Sequence, residues 1–311
     1  MVTYIVKRFV YMIVTVFIIA TLTFFLMNLI PGSPFNEERT TNAVVQQNLE
    51  EHYHLHEPLA VQYVLYLKSI ITLDFGPSIK QPTETVNALL GRGFPISAEL
   101  GIWTVLIALI SGVALGVFAA LKHNHVIDYM AMTIAVLGIS IPNFVLATML
   151  IQQLAVQLEW LPAATWSSPA HMVLPVLALA TGPMAIIARL TRSSMLETLT
   201  QDYIKTARAK GLSPYKIIVK HALKNALMPV VTIMGTLLAG ILTGTFVIEK
   251  IFAIPGMGKY FVEGINQRDY PVIMGTTVFY SAFLVFMLFL VDIAYGFLDP
   301  RIKLHKEGGS S

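Results

Sequence analysis

Long apolar runs separated by shorter polar segments dominate the chain. The fourth run is interrupted by Pro175, Gly182 and Pro183, which membrane helices tolerate where neighbouring helices satisfy the freed backbone groups. The pattern predicts six transmembrane helices, an even number that puts both chain ends on one side. Runs near the ~20 apolar residues that a spanning helix needs lie at about 9–30, 100–121, 129–157, 172–190, 228–248 and 275–298.

The composition agrees with a membrane protein. Hydrophobic residues make up 55% of the 311 residues and charged residues 13%, about half of the usual charged share. A soluble domain could not hide so much apolar surface. The first apolar run is too long for the core of a signal peptide, so we expect a permanent anchor. Cysteine is absent, which excludes disulfides, thiolate catalysis and cysteine-based metal sites.

Lysine and arginine residues predict the orientation, because they are enriched in cytoplasmic loops. Fourteen of the 21 lie in the two terminal segments and in the loops after the second and fourth spans. The other seven lie in the alternate loops. Both chain ends and the loop after the fourth span are therefore predicted to be cytoplasmic.

The segment 31–99 is then predicted to be external, and it is too long for a simple connector. Amphipathic periodicity after Pro58 predicts a helix, so we expect a small, mostly helical cap. His52, His54 and His56 alternate along this segment. On a strand that spacing would put three imidazoles on one face as a metal site. Because the neighbourhood favours a helix, which scatters them, we expect no metal there.

The polar stretch 189–229 interrupts the apolar sequence. It contains eight basic residues but only two acids. Residues 201–210 are predicted to form a helix capped by Asp202 or Thr200 and stopped by Gly211. Ser213 and Pro214 are typical of the cap and first position of a second helix, which would run to about residue 227. We expect a compact, basic element on the cytoplasmic side.

A known motif lies within this stretch. Membrane subunits of ATP-binding-cassette (ABC) importers have a cytoplasmic EAA-x3-G loop that docks on the ATPase, and Lys205-Thr206-Ala207-x3-Gly211 occupies that frame. Lys205 stands where the general motif has Glu, and Thr206 stands where it has Ala. With these departures, the run from Thr206 to Ser213 resembles the B-type permease subunit of oligopeptide and dipeptide importers.

Short sequence blocks elsewhere in the chain also resemble this subunit. They lie between residues 29 and 301 and occur in the same order as in the family. Each block is weak alone, and together they are specific. The blocks are Leu29-Ile30-Pro31-Gly32-Ser33-Pro34, Pro58-Leu59-x2-Gln62-Tyr63, Ser140-Ile141-Pro142-x-Phe144, Phe252-x2-Pro255-Gly256-Met257-Gly258, Arg268-Asp269-Tyr270-Pro271 and Leu298-Asp299-Pro300-Arg301.

The resemblance implies an all-α membrane protein with six transmembrane helices of the type I ABC importer permease kind and a mostly helical external domain between spans 1 and 2. The domains would be 1–30, an N-terminal segment with the first span; 31–99, the external cap; 100–301, a five-helix core with the coupling loop 189–229; and 302–311, a cytoplasmic tail.

The resemblance also implies a transport subunit rather than an enzyme, located in the bacterial cell membrane. A second permease of similar fold would complete the path, two cytoplasmic ATPases would bind ATP and Mg, and an external protein would deliver the peptide. Membrane lipid surrounds such a subunit, and neither a cofactor of its own nor a nucleic-acid partner is expected.

The coupling residues follow from this resemblance and from the residue types. Small residues let a partner approach the backbone closely, Ile204 would add an apolar contact, and basic residues can pair with acids at the rim. The ordinary positive-inside bias would also account for part of the basic surplus. The predicted ATPase-coupling residues are Tyr203, Lys205, Thr206, Ala207, Arg208, Lys210, Gly211, Leu212 and Ser213.

Polar or helix-breaking residues within the spans indicate a transport pathway, although Thr in a span often bonds its own helix. The pathway candidates are Asn143, Thr232, Thr236, Thr243 and Ser281. Pro255, Gly256 and Gly258 are either an external gate or receptor contact, or a plain turn. Asp292 is an intramembrane acid, for which a basic partner near the cytoplasmic edge would be a sufficient structural account.

Two alternatives stay open at this stage. A secondary transporter or channel working alone predicts intramembrane charges and an internal repeat, whereas the sequence has one clear buried acid and no convincing repeat. Among the importers, the substrate could be an oligopeptide, a dipeptide, glutathione or nickel.

Overall fold

The computed structural model describes residues 2–29, 47–48, 51–54, 56–243 and 245–298. This part of the chain is helical except for turns and an isolated bridge between Pro77 and Thr85. Its helices are α1 (Val2–Leu29), α2 (Leu59–Thr72), α3 (Val86–Leu121), α4 (Val126–Ser140), α5 (Asn143–Leu150), α6 (Pro169–Leu199), α7 (Asp202–Ala209), α8 (Pro214–Lys216), α9 (Leu223–Ala226), α10 (Met228–Thr243), α11 (Phe246–Ile251), α12 (Met257–Gln267) and α13 (Tyr270–Leu298). Two π-helical segments, Ile151–Gln157 and Ile217–Ala222, follow α5 and α8.

Four of the described helices, α1, α3, α6 and α13, are long and apolar enough to cross a membrane. Two bent pairs of helices raise the number of candidate spans to six if each pair is one span. The first pair joins α4 to residues 143–157 with a bend of 105°, and the second joins residues 214–226 to the first part of α10 with a bend of 50°. The chain is therefore a helical membrane protein with four to six candidate spans.

The larger bend breaks the run that the sequence predicts at 129–157. Proline has no amide hydrogen and disfavours helical backbone in the residue before it. Ile141 accordingly has an extended backbone, with ψ of 119°, and Pro142 precedes the first residue of α5. The local steric rule was readable in the sequence, but the size of the bend was not.

Helices α3 and α6 extend beyond the predicted spans. Helix α3 begins at Val86, inside the segment predicted as an external cap, and contains Pro95. Helix α6 runs through Pro175 and Pro183 to Leu199. Arg189 and Arg192 therefore lie in α6 and not in a loop, which corrects the predicted start of the coupling loop. The predicted helix after Pro58 is confirmed as α2.

The chain forms two compact units, residues 1–97 with 255–311 and residues 98–254. In the first unit α1 packs along α13, with the rings of Phe9 and Phe289 6.0 Å apart. The ring of Phe24 in α1 also stacks on Tyr66 of α2 at 5.4 Å. Helix α2 is thus fixed to α1 by aromatic packing.

In the second unit, α6 is the central helix. A Cβ added to Gly116 of α3 would lie 2.5 Å from the carbonyl oxygen of Ala188, and one added to Gly138 of α4 would lie 2.7 Å from the Thr181 side chain. A larger residue at either position would force its neighbour in α6 to shift, so glycine lets both helices approach α6 closely. The predicted features at residues 30–46 and 299–311 lie outside the described residues.

Candidate functional site

The candidate site is the polar element that follows α6, residues 200–227, here called the coupling element. Its first helix, α7, begins after Gln201, whose backbone is extended. The predicted caps are wrong: the Thr200 hydroxyl donates to the carbonyl oxygen of Glu197 at 2.7 Å and so completes α6. Asp202 instead accepts from the ammonium group of Lys205 at 2.9 Å.

The corner after α7 agrees with the prediction. Gly211 has a φ of +73°, a left-handed conformation that glycine adopts without steric cost. Ser213 is the N-cap of the next helix and Pro214 its first residue. The predicted helix to about residue 227 is present, but Ile217–Ala222 is π-helical. Nothing in the sequence signals that wider turn.

One face of the coupling element is buried in its own unit. Ile204 is 0% exposed and Ala207 6% exposed, and both pack with Met195 of α6 and Ala120 of α3. Ile217, Ala222 and Ala226 complete this cluster, and Leu212 packs against it. The side chains of Ile204 and Ala207 therefore face the protein's own core, which corrects the expectation that they contact a partner directly.

The other face of the coupling element is exposed, and we call it the exposed face. Tyr215 is 74% and Tyr203 43% exposed, and the Tyr203 hydroxyl accepts from the Asn225 amide at 2.8 Å. Tyr215 was missed in the sequence analysis, although an aromatic residue directly after a helix-starting proline was the available signal. The predicted coupling residues on this face are Tyr203, Lys205, Thr206, Arg208, Lys210, Gly211 and Ser213.

Two of the eight basic residues counted in the stretch form ion pairs in the described part of the chain: Lys205 with Asp202, as noted above, and Arg192 with Asp128. The guanidinium of Arg192 binds both carboxylate oxygens of Asp128, with Nε–Oδ1 2.6 Å and Nη2–Oδ2 2.8 Å. The Asp128 side chain is only 2% exposed. No sequence pattern indicates this pair, because the two residues are 64 positions apart.

The pathway candidates lie in different surroundings. Asn143 is exposed at the start of α5, directly after the bend. The Thr232 hydroxyl donates to the carbonyl oxygen of Met228, within α10, at 2.9 Å. Thr236 is exposed and Ser281 half-buried, and the side chain of Thr243 lies outside the described residues. Thr232 thus makes the same-helix bond that was the alternative to a pathway role.

The segment predicted as a gate or turn is tightly packed in the first unit. Gly256 and Gly258 are buried, and the amide of Met257 donates to the Ser97 hydroxyl at 2.9 Å. A Cβ added to Gly93 of α3 would lie 2.9 Å from that amide nitrogen. This geometry is that of a turn that starts α12 and is fixed to α3.

A second buried acid precedes α13. Asp269 is 2% exposed and accepts from the Ser78 hydroxyl and from the amides of Ile79, Lys80 and Val272, the amides at 3.1 to 3.3 Å. It therefore fixes the segment 78–80 to the start of the last helix. In the sequence, Asp269 was noted only as part of the block Arg268-Asp269-Tyr270-Pro271 that resembles the permease family.

The three alternating histidines do not form a metal centre in the part of the chain that the structure describes. No three His, Asp or Glu side chains there are grouped to hold a metal ion. The ring of His52 lies edge-on to Tyr53 at 5.0 Å, and His54 has a left-handed backbone with φ of +52°.

The fold is shared with solved ABC transporters. One chain of the inward-facing MetNI methionine ABC transporter superposes with a TM-score of 0.56 at 19% identity, covering 68% of this chain and 96% of that one. A chain of an amino acid ABC transporter gives 0.53 at 15% identity, covering 66% and 92%. The architecture is thus that of a chain of an ABC transporter.

Family models narrow this class. The model of the binding-protein-dependent transport system inner membrane component matches residues 112–304, and the model of its N-terminal region matches residues 1–108. The chain belongs to the family of binding-protein-dependent transport system inner membrane components.

Curated relatives match along almost the whole chain. The dipeptide transport system permease protein DppB of Bacillus subtilis is 72% identical over 308 residues, 99% of this chain and 100% of that protein. The oligopeptide transport system permease protein OppB of Salmonella typhimurium is 45% identical over 305 residues, 97% of this chain and 100% of that protein. The resemblance found in the sequence motifs is confirmed.

Proposed function

We propose that this chain is a permease subunit of an ATP-driven importer of dipeptides or oligopeptides, and that it forms half of the translocation path. The observation that carries the proposal is the 72% identity to a dipeptide permease over the whole of that protein. The same topology would give six spans, with each bent pair counted as one, both termini in the cytoplasm, and the segment after α1 outside.

Separate subunits would supply the energy. Two cytoplasmic ATPases would bind ATP and Mg, and one of them would dock on the exposed face of the coupling element. Large exposed aromatic residues are typical anchors in protein interfaces, and Tyr203 and Tyr215 supply two of them. Arg208 and Lys210, exposed beside them, favour register and fast association with an acidic rim.

The buried face of the coupling element supports a mechanical role. Because Ile204 and Ala207 pack with Ala120 of α3 and Met195 of α6, a movement of α7 would be passed on to those helices. ATP would close the ATPase pair, the docked elements of this chain and of the second permease would approach each other, and the spans would open outward to accept peptide from the external binding protein. Hydrolysis would reverse the movement.

The path itself follows the residues around the first bend. A cavity of about 440 Å³ lies there. Gly138, Asn143 and Gly182 line it together with larger apolar side chains such as Phe144 and Ile186, so a peptide would meet the Asn143 amide within a mainly apolar wall. Thr232, Thr236, Thr243 and Ser281 remain pathway candidates. Pro255, Gly256 and Gly258 would act as the rigid base of an outer gate, since their turn is fixed to α3.

Replacement of Gly211 by tryptophan tests the docking. A Cβ at Gly211 meets no atom within 4 Å inside the chain, so the indole would project outward and obstruct a partner. We expect Gly211→Trp to lose copurification with the ATPases, or uptake, while the chain remains in the membrane. Wild-type peptide-stimulated ATPase activity and uptake in this variant would contradict the docking assignment.

Uptake by a strain that lacks only this chain tests the substrate. We expect uptake of a set of di- to octapeptides to fall and to return with the wild-type gene. Loss of nickel or glutathione uptake with peptide uptake unchanged would overturn the peptide assignment. Transport by the purified chain reconstituted without ATPase subunits would overturn the importer assignment as a whole.

A further inference from the structure

The ion pair between Asp128 and Arg192 joins two helices of the second unit. Asp128 lies in the first turn of α4 and Arg192 in the last third of α6. Both carboxylate oxygens are bound, Oδ1 by Nε at 2.6 Å and Oδ2 by Nη2 at 2.8 Å. A bidentate contact of this kind fixes orientation as well as distance.

The loop between α3 and α4 strengthens the same contact. The amide of Asn124 donates to Oδ2 of Asp128 at 3.0 Å. Nδ1 of His123 lies 3.3 Å from that oxygen and 3.2 Å from Nη2 of Arg192. With these contacts the acid has partners on both oxygens, and the loop, α4 and α6 are held at one point.

The pair lies next to the base of the coupling element. Met195, three residues after Arg192, is in the buried cluster with Ile204 and Ala207 of α7. Residues three apart on a helix lie on one face. A displacement of α7 therefore reaches the end of α6 on the face that holds Arg192.

Beyond the pair, α4 packs closely on α6 up to the bend. Ala131, Ala135 and Gly138 are buried, and the Thr181 side chain would be 2.7 Å from a Cβ on Gly138. The chain then bends by 105° at the break between α4 and α5. This close packing couples α4 to α6, so we infer that movement of α6 is passed on to the bend.

We propose that Asp128 and Arg192 are positioning residues for transport: they transmit the movement of the coupling element to the bend at residues 141–143. This inference rests on the proposed function. Asp128 and Arg192 bind each other within the chain and lie outside the coupling element, so loss of the pair should separate ATP hydrolysis from transport without preventing assembly.

Distance measurements in the wild-type background test the transmission. The chain contains no cysteine, so spin labels can be placed at chosen positions. Met130→Cys with Ile186→Cys reports the spacing of α4 and α6, and Leu137→Cys with Thr148→Cys reports the bend; all four positions are exposed. In the assembled transporter we expect ATP to change the second distance and not the first. A changed first distance would overturn the proposal, because α4 would then move independently of α6.

Two substitutions test the pair itself. Arg192→Lys keeps the charge but loses the bidentate contact, and Asp128→Asn keeps the shape but loses the charge. We expect copurification with the ATPases and basal ATP hydrolysis to be retained, while peptide transported per ATP falls about tenfold. Glu84→Gln, which removes an acid paired with an exposed arginine, Arg92, is the matched control and should leave this ratio unchanged.

The outcomes distinguish a failure of the positioning role from a failure of the proposed function. Wild-type transport per ATP in both variants, or a loss of transport that only follows the amount of assembled complex, would overturn the positioning role. If the unsubstituted chain copurifies with no ATPase and moves peptide alone, the proposed function is wrong. The positioning role of Asp128 and Arg192 then fails as well, because it rests on that function.

Discussion

The guanidinium of Arg8, near the start of the first helix, lies 3.1 Å from the carboxylate of Asp292, near the end of the last helix. The Tyr4 hydroxyl donates to the backbone carbonyl of Asp292 at 3.4 Å. The sequence left open whether Asp292 is functional or satisfied by a basic neighbour. Because the neighbour is present, a structural tie between α1 and α13 is a sufficient account of this acid.

The tie predicts a small effect on stability. The Arg8 and Asp292 side chains are 42% and 28% exposed, so we expect Asp292→Asn to lower the free energy of unfolding by about 1 kcal/mol or less. The double variant Asp292→Asn with Arg8→Gln should lose less unfolding free energy than the sum of the losses in the two single variants. Thermal unfolding in detergent measures these losses. Lost uptake at unchanged stability would instead indicate a functional acid.

Asp269 predicts a larger effect, because its carboxylate is buried together with the Ser78 hydroxyl and the Ile79 amide that donate to it. Asp269→Ala leaves the Ser78 hydroxyl and the amides of Ile79 and Lys80 without their acceptor, and we expect a loss of about 3 kcal/mol. Ser78→Ala removes one donor to Asp269 and the acceptor of the Gln81 amide, but it leaves the amides of Ile79 and Lys80 bound. Because Gln81 is exposed and solvent can replace its acceptor, this variant should cost less than half as much. Thermal unfolding of both variants in detergent checks the order, and equal losses would contradict it.

Two glycines of α3 provide a matched test of helix packing. A Cβ on Gly116 would lie 2.5 Å from a backbone oxygen of α6, whereas one on Gly91 meets nothing within 4 Å. Gly116→Ala should therefore destabilise the protein by about 1–3 kcal/mol, and Gly91→Ala should be neutral or stabilise it by up to about 1 kcal/mol. Unfolding temperatures measure both, and a harmless Gly116→Ala would show that α3 can withdraw from α6.

Substitutions at Gly211 can distinguish an effect on backbone conformation from an effect on docking. The site is open, so substitutions there act on the chain only through the positive φ. Gly211→Asn should be tolerated, since asparagine adopts the left-handed conformation, whereas Gly211→Val should cost about 1–2 kcal/mol. Unfolding temperature is the measurement. Equal stability of the two variants would mean that the corner is free to adopt another conformation.

Much of the architecture was predictable because lipid imposes simple demands. A backbone that crosses a bilayer must satisfy its own hydrogen bonds, so apolar runs identify α1, α3, α6 and α13 directly. The corner at Gly211 and the start at Ser213 and Pro214 were also readable, because they depend on backbone rules that act within a few residues.

The ends of the helices and the buried face of α7 were not predictable in this way. Hydropathy placed the start of the second span at residue 100, but α3 begins at Val86. A helix can continue outside the lipid wherever its side chains pack against other parts of the protein, and hydropathy does not detect such an extension. The same is true of α6, which continues to Leu199. Within α7, residue types suggested that Ile204 and Ala207 meet a partner, whereas packing against Met195 and Ala120 buries them.

The sequence by itself determined the membrane class, the basic coupling element and the family, because hydropathy, charge and motif order are properties of the linear chain. The tertiary structure decided which face of α7 is exposed, where the third apolar run bends, and which acids and bases pair. Arg8 and Asp292, or Asp128 and Arg192, come together only when distant helices pack, and no local pattern encodes that proximity.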